Sequence, residues 1–262
     1  MKRVLVCVKQ AVDVTQLKVD PATRQLVTAG APKKMSDFDK NALEEAIRIR
    51  EKFGGEVVTL TVGHEEAKAV LREGLAIGAD KAYCVNDLGV LGIDTGGTAY
   101  VLAEMVKKIG EYDLVLCGDS SLDSFSGLVG PRLSEVLNLP QITSVKKITV
   151  EGDAVIAERS LEDASEVVKA KMPALISVIR EINQPRIPSL MMIMKASKKE
   201  IVTWSLKDLN VPAEKIGSRI EIIDVLAPKM ERKRVKVTGE SVQEIAEKLA
   251  KALVQEGVVG RK

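Results

Sequence analysis

The chain has little of what nucleic-acid, metal or secreted proteins rely on. Aromatic residues make up 3% of its 262 positions, seven in all, too few for a base-stacking surface. Cys7, Cys84 and Cys117 are its only cysteines; they lie far apart in apolar runs and form no CxxC. That spacing argues against a disulfide framework or a zinc site and marks them as buried strand thiols. The one histidine, His64, opens HEEA and lacks the second His of a zinc HExxH, so it reads as an exposed residue at a helix start. A single His also argues against a Ser-His-Asp hydrolase and a His-ligated metalloenzyme. Neither sign of charge dominates: 39 Lys and Arg against 37 Asp and Glu leave +2, which argues against a nucleic-acid or general polyanion binder. There is no run of about 18 apolar residues that could span a membrane. The VLVCV after Met1-Lys2-Arg3 is too short for a signal-peptide core, so a cytoplasmic protein is expected.

What is present is a 45% hydrophobic chain, enough for one large domain or a domain plus an extension. Short β-branched runs (VLVCVK from Val4, then EVVTLTVG, KAYCV, DLVLCG and QITSV) alternate with segments of helical spacing. Those segments cover 39–53, 65–77, 95–109 and 128–137, and they stop at Gly54, Gly78, Gly110 and before Pro140. The alternation predicts an α/β fold: an open, mostly parallel, Rossmann-like sheet with helices on both faces. After Val145 the chain reads as successive strands around an EGD turn, an antiparallel edge. From Asn183 it reads as irregular and Met-rich, followed by a charged stretch and an amphipathic helix over 241–254. The stripe Ile245, Leu249, Leu253 and Val254 must pack on something, either a partner or the chain's own domain. The expected division is a nucleotide- or flavin-binding domain at 1–190 and a partner-contacting segment with a C-terminal arm at 191–262.

In an open parallel sheet, ligands bind beyond the carboxyl ends of the strands, where the strand order reverses. The ends here are Cys7-Val8-Lys9, Val62-Gly63 and Cys117-Gly118. The last opens GDSSLDSFSGLVGP, from Gly118 to Pro131, with small residues and four hydroxyls. The amides of Ser126, Gly127 and Leu128 would face a phosphate from the start of the next helix. The stretch is neither a P-loop nor GxGxxG; a nucleotide site and an ordinary capped loop both fit it. A second stretch, DLGVLGIDTGGTAY from Asp87 to Tyr100, offers Asp94 or Thr95 as a helix cap. Thr95 and Thr98 share one face of the first turn and could meet a ribose, a phosphate or a flavin ring. Neither loop holds a general acid–base pair, and no catalytic residue is assigned. That pattern points to a protein that holds a redox cofactor and leaves the chemistry to it. A nucleotide-sensing module without a redox role is the rival from another class.

Three stretches together resemble the electron transfer flavoprotein beta subunit. AERSLEDASEVVKAKMPALIS, from Ala157, is similar to the family's signature through Arg159, Glu162, Asp163, Glu166, Val168 and Pro173; Ala164 departs from the usual Gly or acid. NQPRIPSL, from Asn183, resembles N-x-P-R-x-P-S-L, and Lys195 to Lys199 follows as K-A-x-K-K. The loop from Gly118 is similar to G-x-Q-x-I-D-x-D-T-x-Q-V-G-P, with Ser120, Phe125 and Leu128 in place of a Gln, an Asp and a Gln. Near the first helix, Ser36 and Asp37 stand where the family has Asn and Pro. The resemblance spans nearly the whole chain.

The resemblance implies a heterodimer with an alpha subunit that docks on a partner dehydrogenase or quinone-reducing flavoprotein. It also implies two alternatives for the beta-subunit ligand: structural AMP, or a second FAD in the electron-bifurcating kind. That kind resembles D-x-x-x-x-G-x-D-T-x-x-T-x-Y-x-L-A, and Asp87, Gly92, Asp94, Thr95, Thr98, Tyr100, Leu102 and Ala103 stand at that spacing. The favoured expectation is therefore FAD, with NADH as donor and ferredoxin or flavodoxin as one acceptor. Carried onto this chain, the nucleotide would be held by Cys7, Lys9, Asp39, Val62, Gly63 and Gly118. Further contacts would come from the loop residues Ser121, Leu122, Asp123, Ser124, Phe125, Ser126, Gly127, Leu128 and Val129. Asp94, Thr95 and Thr98 would meet the flavin or nicotinamide end. Leu190 and Met191 would anchor the partner.

Overall fold

The structure, a computed structural model, describes residues 1–229 and 233–260. Nine strands form the main sheet: β1 (Arg3–Cys7), β2 (Glu56–Gly63), β3 (Lys81–Asn86), β4 (Leu114–Gly118), β5 (Gln141–Glu151), β6 (Ala154–Ser160), β7 (Ser165–Lys171), β8 (Ala174–Val178) and β9 (Val202–Trp204). Their spatial order is β7-β6-β5-β8-β4-β1-β2-β3-β9. Every pairing from β5 across to β9 is parallel; only β6 with β5 and β6 with β7 are antiparallel. The expected α/β sheet with an antiparallel edge is thus the observed one.

Helices cover both faces: α1 (Asp37–Phe53) and α2 (Lys68–Ile77) on one, α3 (Thr95–Ile109) and α4 (Val129–Leu137) on the other. Side chains alternate across β1, so Val4 and Val6 pack with α1 and α2 while Leu5 and Cys7 pack with α3 and α4. Burial on both faces explains why these strands read as unbroken apolar runs. On α1, Ala42, Leu43, Ala46 and Ile47 recur at helical spacing and are fully buried; burying one such Leu or Ile stabilises by about 1.5–3 kcal/mol. The chain runs from β1 outward to β2 and β3, then crosses back to lay β4 on the other side of β1. The strand order therefore reverses between β1 and β4, and a crevice opens beyond their carboxyl ends.

One expectation is corrected. The Met-rich stretch is not irregular: Leu190–Ser197 is a helix, α5, with the Ser189 hydroxyl accepting from the Met192 amide at 3.4 Å. Leu, Met, Lys and Ala are good helix formers, and Pro185 and Pro188 lie before the first turn. The core also extends past 190, since β9 pairs with β3, and Leu209 and Ile216 are buried against the α3 and α4 face. Beyond a short helix, α6 (Ala213–Ile216), the arm touches the Lys18–Val19/Leu26–Val27 hairpin through a Gln25–Leu226 bridge. It ends in α7 (Val242–Gln255), no residue of which is buried. Among the described residues no helix is long and apolar enough to cross a membrane.

Candidate functional site

The switch point is built around Asp39, in the first turn of α1. One carboxylate oxygen accepts from the Lys9 amide at 2.8 Å and the other from the Gly118 amide at 3.0 Å. One buried side chain thus ties together the chain just past β1 and the end of β4. Burial pushes its carboxyl up to about 7, against the opposing pull of the two amides and of Lys9. With both oxygens held by backbone, Asp39 positions the crevice walls. Gly118 is required there, because a Cβ would lie 2.5 Å from the Phe38 Cβ and 2.6 Å from Asp39 Oδ1.

The loop after β4 folds over the crevice. Lys9 Nζ reaches Asp123 at 2.7 Å and the Ser121 hydroxyl at 3.3 Å. The Ser121 hydroxyl bonds Asp123 at 2.6 Å and Ser124 Oγ at 2.9 Å. Burial raises the Asp123 carboxyl, but hydrogen bonds from Lys9 and Ser121 outweigh it and hold the group below the usual carboxylate range. Among the described residues the amides of Ser126, Gly127 and Leu128 find no acceptor. Unmet backbone donors beside a lysine suit an anionic group such as a nucleotide phosphate. The Ser36 hydroxyl, between Lys9 and α1, is likewise buried with no partner.

The other expected residues fall into place around this centre. Val62 and Gly63 end β2 beside β1, with the Val62 side chain packed against the α3 and α4 face. Cys7 ends β1 with its thiol in that same core; burial pushes it up to about 12, so it stays a protonated, unreactive thiol. Leu122 is half-buried, while Phe125 and Leu128 are exposed. Val129 starts α4.

The second stretch lies next door. Asp94 caps α3 by accepting from the amides of Gly96 and Gly97 at 2.8 and 2.9 Å, and the Arg219 amide reaches it at 3.1 Å. These backbone bonds, that of Gly97 first, hold its carboxyl below the usual range. The Thr98 hydroxyl gives its proton to the Asp94 carbonyl at 2.9 Å, so only its acceptor lone pairs remain to offer. Thr95 Oγ1 accepts from Arg132 at 2.7 Å and keeps its own proton to donate. Arg132 sits on α4, so this bond joins the two loops into one rim. A cleft of about 680 Å³ opens beside that rim, between Asp87–Ile93 and Leu206–Ser218.

Leu190 and Met191 are not brought to the crevice. They lie in the first turn of α5, which packs on α2, and both are exposed. The N-x-P-R stretch before them is a fastening: Arg186 binds Glu44 at 2.8 Å and Glu51 at 2.6 Å, and Asn183 and Asn41 exchange hydrogen bonds. The helix held this way, α1, is the one that carries Asp39.

Sequence reasoning passed over several contributors. Asp119 accepts from Ser177 at 2.7 Å and from the Ser144 amide at 3.0 Å, closing the back of the loop. Arg159 of the signature stretch holds the Thr143 carbonyl and hydroxyl, each at 3.0 Å, and Glu166 at 3.0 Å. The only available signal was position: Asp119 follows Gly118, and Ser177 is the small residue that ends P-A-L-I-S.

A crevice at the reversal point of an open, mostly parallel sheet, rimmed by amides and hydroxyls, defines the α/β class with a candidate ligand site beyond the strand ends. Comparison with known proteins makes this specific. The model of the electron transfer flavoprotein domain matches residues 23–209. An electron transfer flavoprotein subunit beta from Thermoanaerobacterium thermosaccharolyticum is 41% identical over 253 residues, 94% of this chain and 97% of that protein. Caffeyl-CoA reductase-Etf complex subunit CarD of Acetobacterium woodii is 34% identical over 98% of this chain and 100% of its own length. The subunit beta from Clostridium acetobutylicum is 35% identical over 96% of each chain. The chain belongs to the electron transfer flavoprotein family, as a beta subunit, and such subunits work in electron transfer paired with an alpha subunit.

Proposed function

We propose that this beta subunit holds FAD in the switch-point crevice and serves electron bifurcation. NADH is the donor; one electron passes toward the alpha-subunit FAD and the other toward ferredoxin or flavodoxin. The flavin supplies the redox chemistry; the chain supplies the amides of Ser126 to Leu128, the Lys9 cation and the hydroxyls of Thr95 and Thr98. The observation that carries this reading is the Arg132–Thr95 bond of 2.7 Å. It ties the helix that follows the Gly118 loop to the Asp94–Thr98 turn, so that both stretches can serve one extended ligand. CarD, a relative of full length, belongs to a caffeyl-CoA reductase-Etf complex, which supports a role in a larger redox assembly. We place the complex in the cytoplasm.

The deciding experiment extracts the cofactors from the purified heterodimer. Two FAD per heterodimer are expected. One FAD plus one AMP would assign the ordinary kind, with the nucleotide held structurally. A stable monomer that binds ATP and carries no flavoprotein partner would favour a sensor.

Docking on the partner dehydrogenase or quinone-reducing flavoprotein falls to α5. Leu190 is 74% exposed and Met191 65% exposed, an apolar pair that water penalises unless something covers it. A buried Leu anchor contributes about 2–3 kcal/mol, so Leu190→Ala is expected to weaken docking by roughly 30- to 150-fold. Flavin content and NADH oxidation with an artificial dye should stay unchanged. Loss of flavin or unfolding in this variant would remove Leu190 from the partner surface.

A further inference from the structure

Two of the chain's three phenylalanines meet at the mouth of the switch-point crevice, although 87 positions separate them. Phe38 sits in the first turn of α1, its Cβ facing Gly118. Phe125 stands at the tip of the loop, and the ring centroids are 5.9 Å apart at an interplanar angle of 63°. Phe125 is 68% exposed, and its backbone has φ +47°, a left-handed conformation that a bulky side chain resists. The loop fixes that conformation: the Phe125 amide donates to the Ser121 carbonyl at 2.9 Å, and Gly127 follows at φ +64°. The protein thus holds an aromatic ring in water, on a disfavoured backbone, immediately before the unmet amides of Ser126, Gly127 and Leu128. The inclined contact with Phe38 leaves most of the Phe125 side chain exposed.

We propose that Phe125, braced edge-on by Phe38, is the stacking platform for the planar purine of the bound nucleotide. This rests on the nucleotide reading of the crevice and names the residue against which the base packs. The shared chemistry is the adenosine monophosphate moiety, present both in AMP and in FAD. Where the family pattern has an acid, this chain has a ring, whose flat apolar surface suits a base.

The test uses the intact heterodimer, freed of endogenous nucleotide and titrated with AMP, FAD and ribose 5-phosphate. Loss of a base–aromatic stack makes Phe125→Ala weaken AMP and FAD alike, by roughly 5- to 150-fold. Ribose 5-phosphate, which has no base, should bind as before, and Phe125→Trp should restore AMP. Phe125→Gly separates binding from folding. It relieves the left-handed strain, so the thermal midpoint of the nucleotide-free protein should hold or rise while AMP affinity falls. AMP binding within twofold of wild type in Phe125→Ala overturns the platform and leaves the nucleotide site standing. Equal weakening of AMP and ribose 5-phosphate also overturns it, since the ring would then only shape the loop. If the wild-type protein binds none of the three ligands, the nucleotide reading fails and the platform with it.

Discussion

Gly118→Ala is expected to destabilise the protein by several kcal/mol and to empty the crevice. The added methyl would lie 2.5 Å from the Phe38 Cβ, 2.6 Å from Asp39 Oδ1 and 2.9 Å from the Phe38 carbonyl carbon. Only Asp39 Oδ1 ends a side chain, and that carboxylate is buried and held by two backbone amides, so relief requires α1 to move off β4. Overpacking of this kind costs about 1–3 kcal/mol. The same movement breaks the Asp39–Gly118 hydrogen bond, and leaving a buried donor unmet adds about 1–3 kcal/mol. Gly127→Ala is the control. A Cβ there meets nothing closer than 3.6 Å, and only its φ of +64° opposes a side chain, a strain of about 1–2 kcal/mol. Urea unfolding should separate the two variants clearly, and Gly118→Ala should lose bound nucleotide on gel filtration. A Gly118→Ala protein with the wild-type midpoint would mean that α1 does not approach β4 this closely.

The parts of this molecule legible in the sequence are those set by local pattern. The apolar runs at Val4, Val57 and Leu114 became parallel strands, because burial on both faces leaves no room for alternation. Glycines 54, 78 and 110 stopped helices where expected, each as the C-cap residue. Other features are set by distance in sequence. Asp119 meets Ser177 across 58 positions and Arg186 meets Glu44 across 142, and no spacing rule joins such pairs. Asp39 was expected among the ligand-binding residues, yet a carboxylate that bridges two strand ends looks in sequence like any acidic residue in a first helical turn. Arg132 escaped notice because its partner, Thr95, opens a different helix. The α5 helix was hidden by the reverse problem: its apolar residues face outward, so no amphipathic stripe marked it.

Asp39→Asn should change how stability depends on pH. In the unfolded chain this carboxyl titrates near 3.9; in the fold, burial raises it to about 7. Between those values the native state carries a proton that the unfolded state has lost. Stability from this group is therefore fully present below about pH 4 and falls as pH rises toward 7, by about 1.4 kcal/mol per unit. It changes no further above that. Around it, the buried thiols of Cys7 and Cys117 and the carboxyl of Asp123 keep their states across this window: the thiols are pushed up by burial and the Asp123 carboxyl is held low. Asn cannot titrate. It also offers one acceptor where the amides of Lys9 and Gly118 need two, so its NH2 must face a backbone donor. At pH 5 the variant should be the less stable protein, by about 1–3 kcal/mol for one unmet buried donor. The gap should narrow as pH rises to 7, where the wild-type protein bears a buried charge, and then stay constant. Urea midpoints measured from pH 4.5 to 8.5 decide the matter, because carboxylates held low elsewhere, such as Glu44 and Glu56, contribute equally to both proteins. Parallel profiles for the two proteins would show that Asp39 is ionised throughout, and that the two amides and Lys9 outweigh its burial.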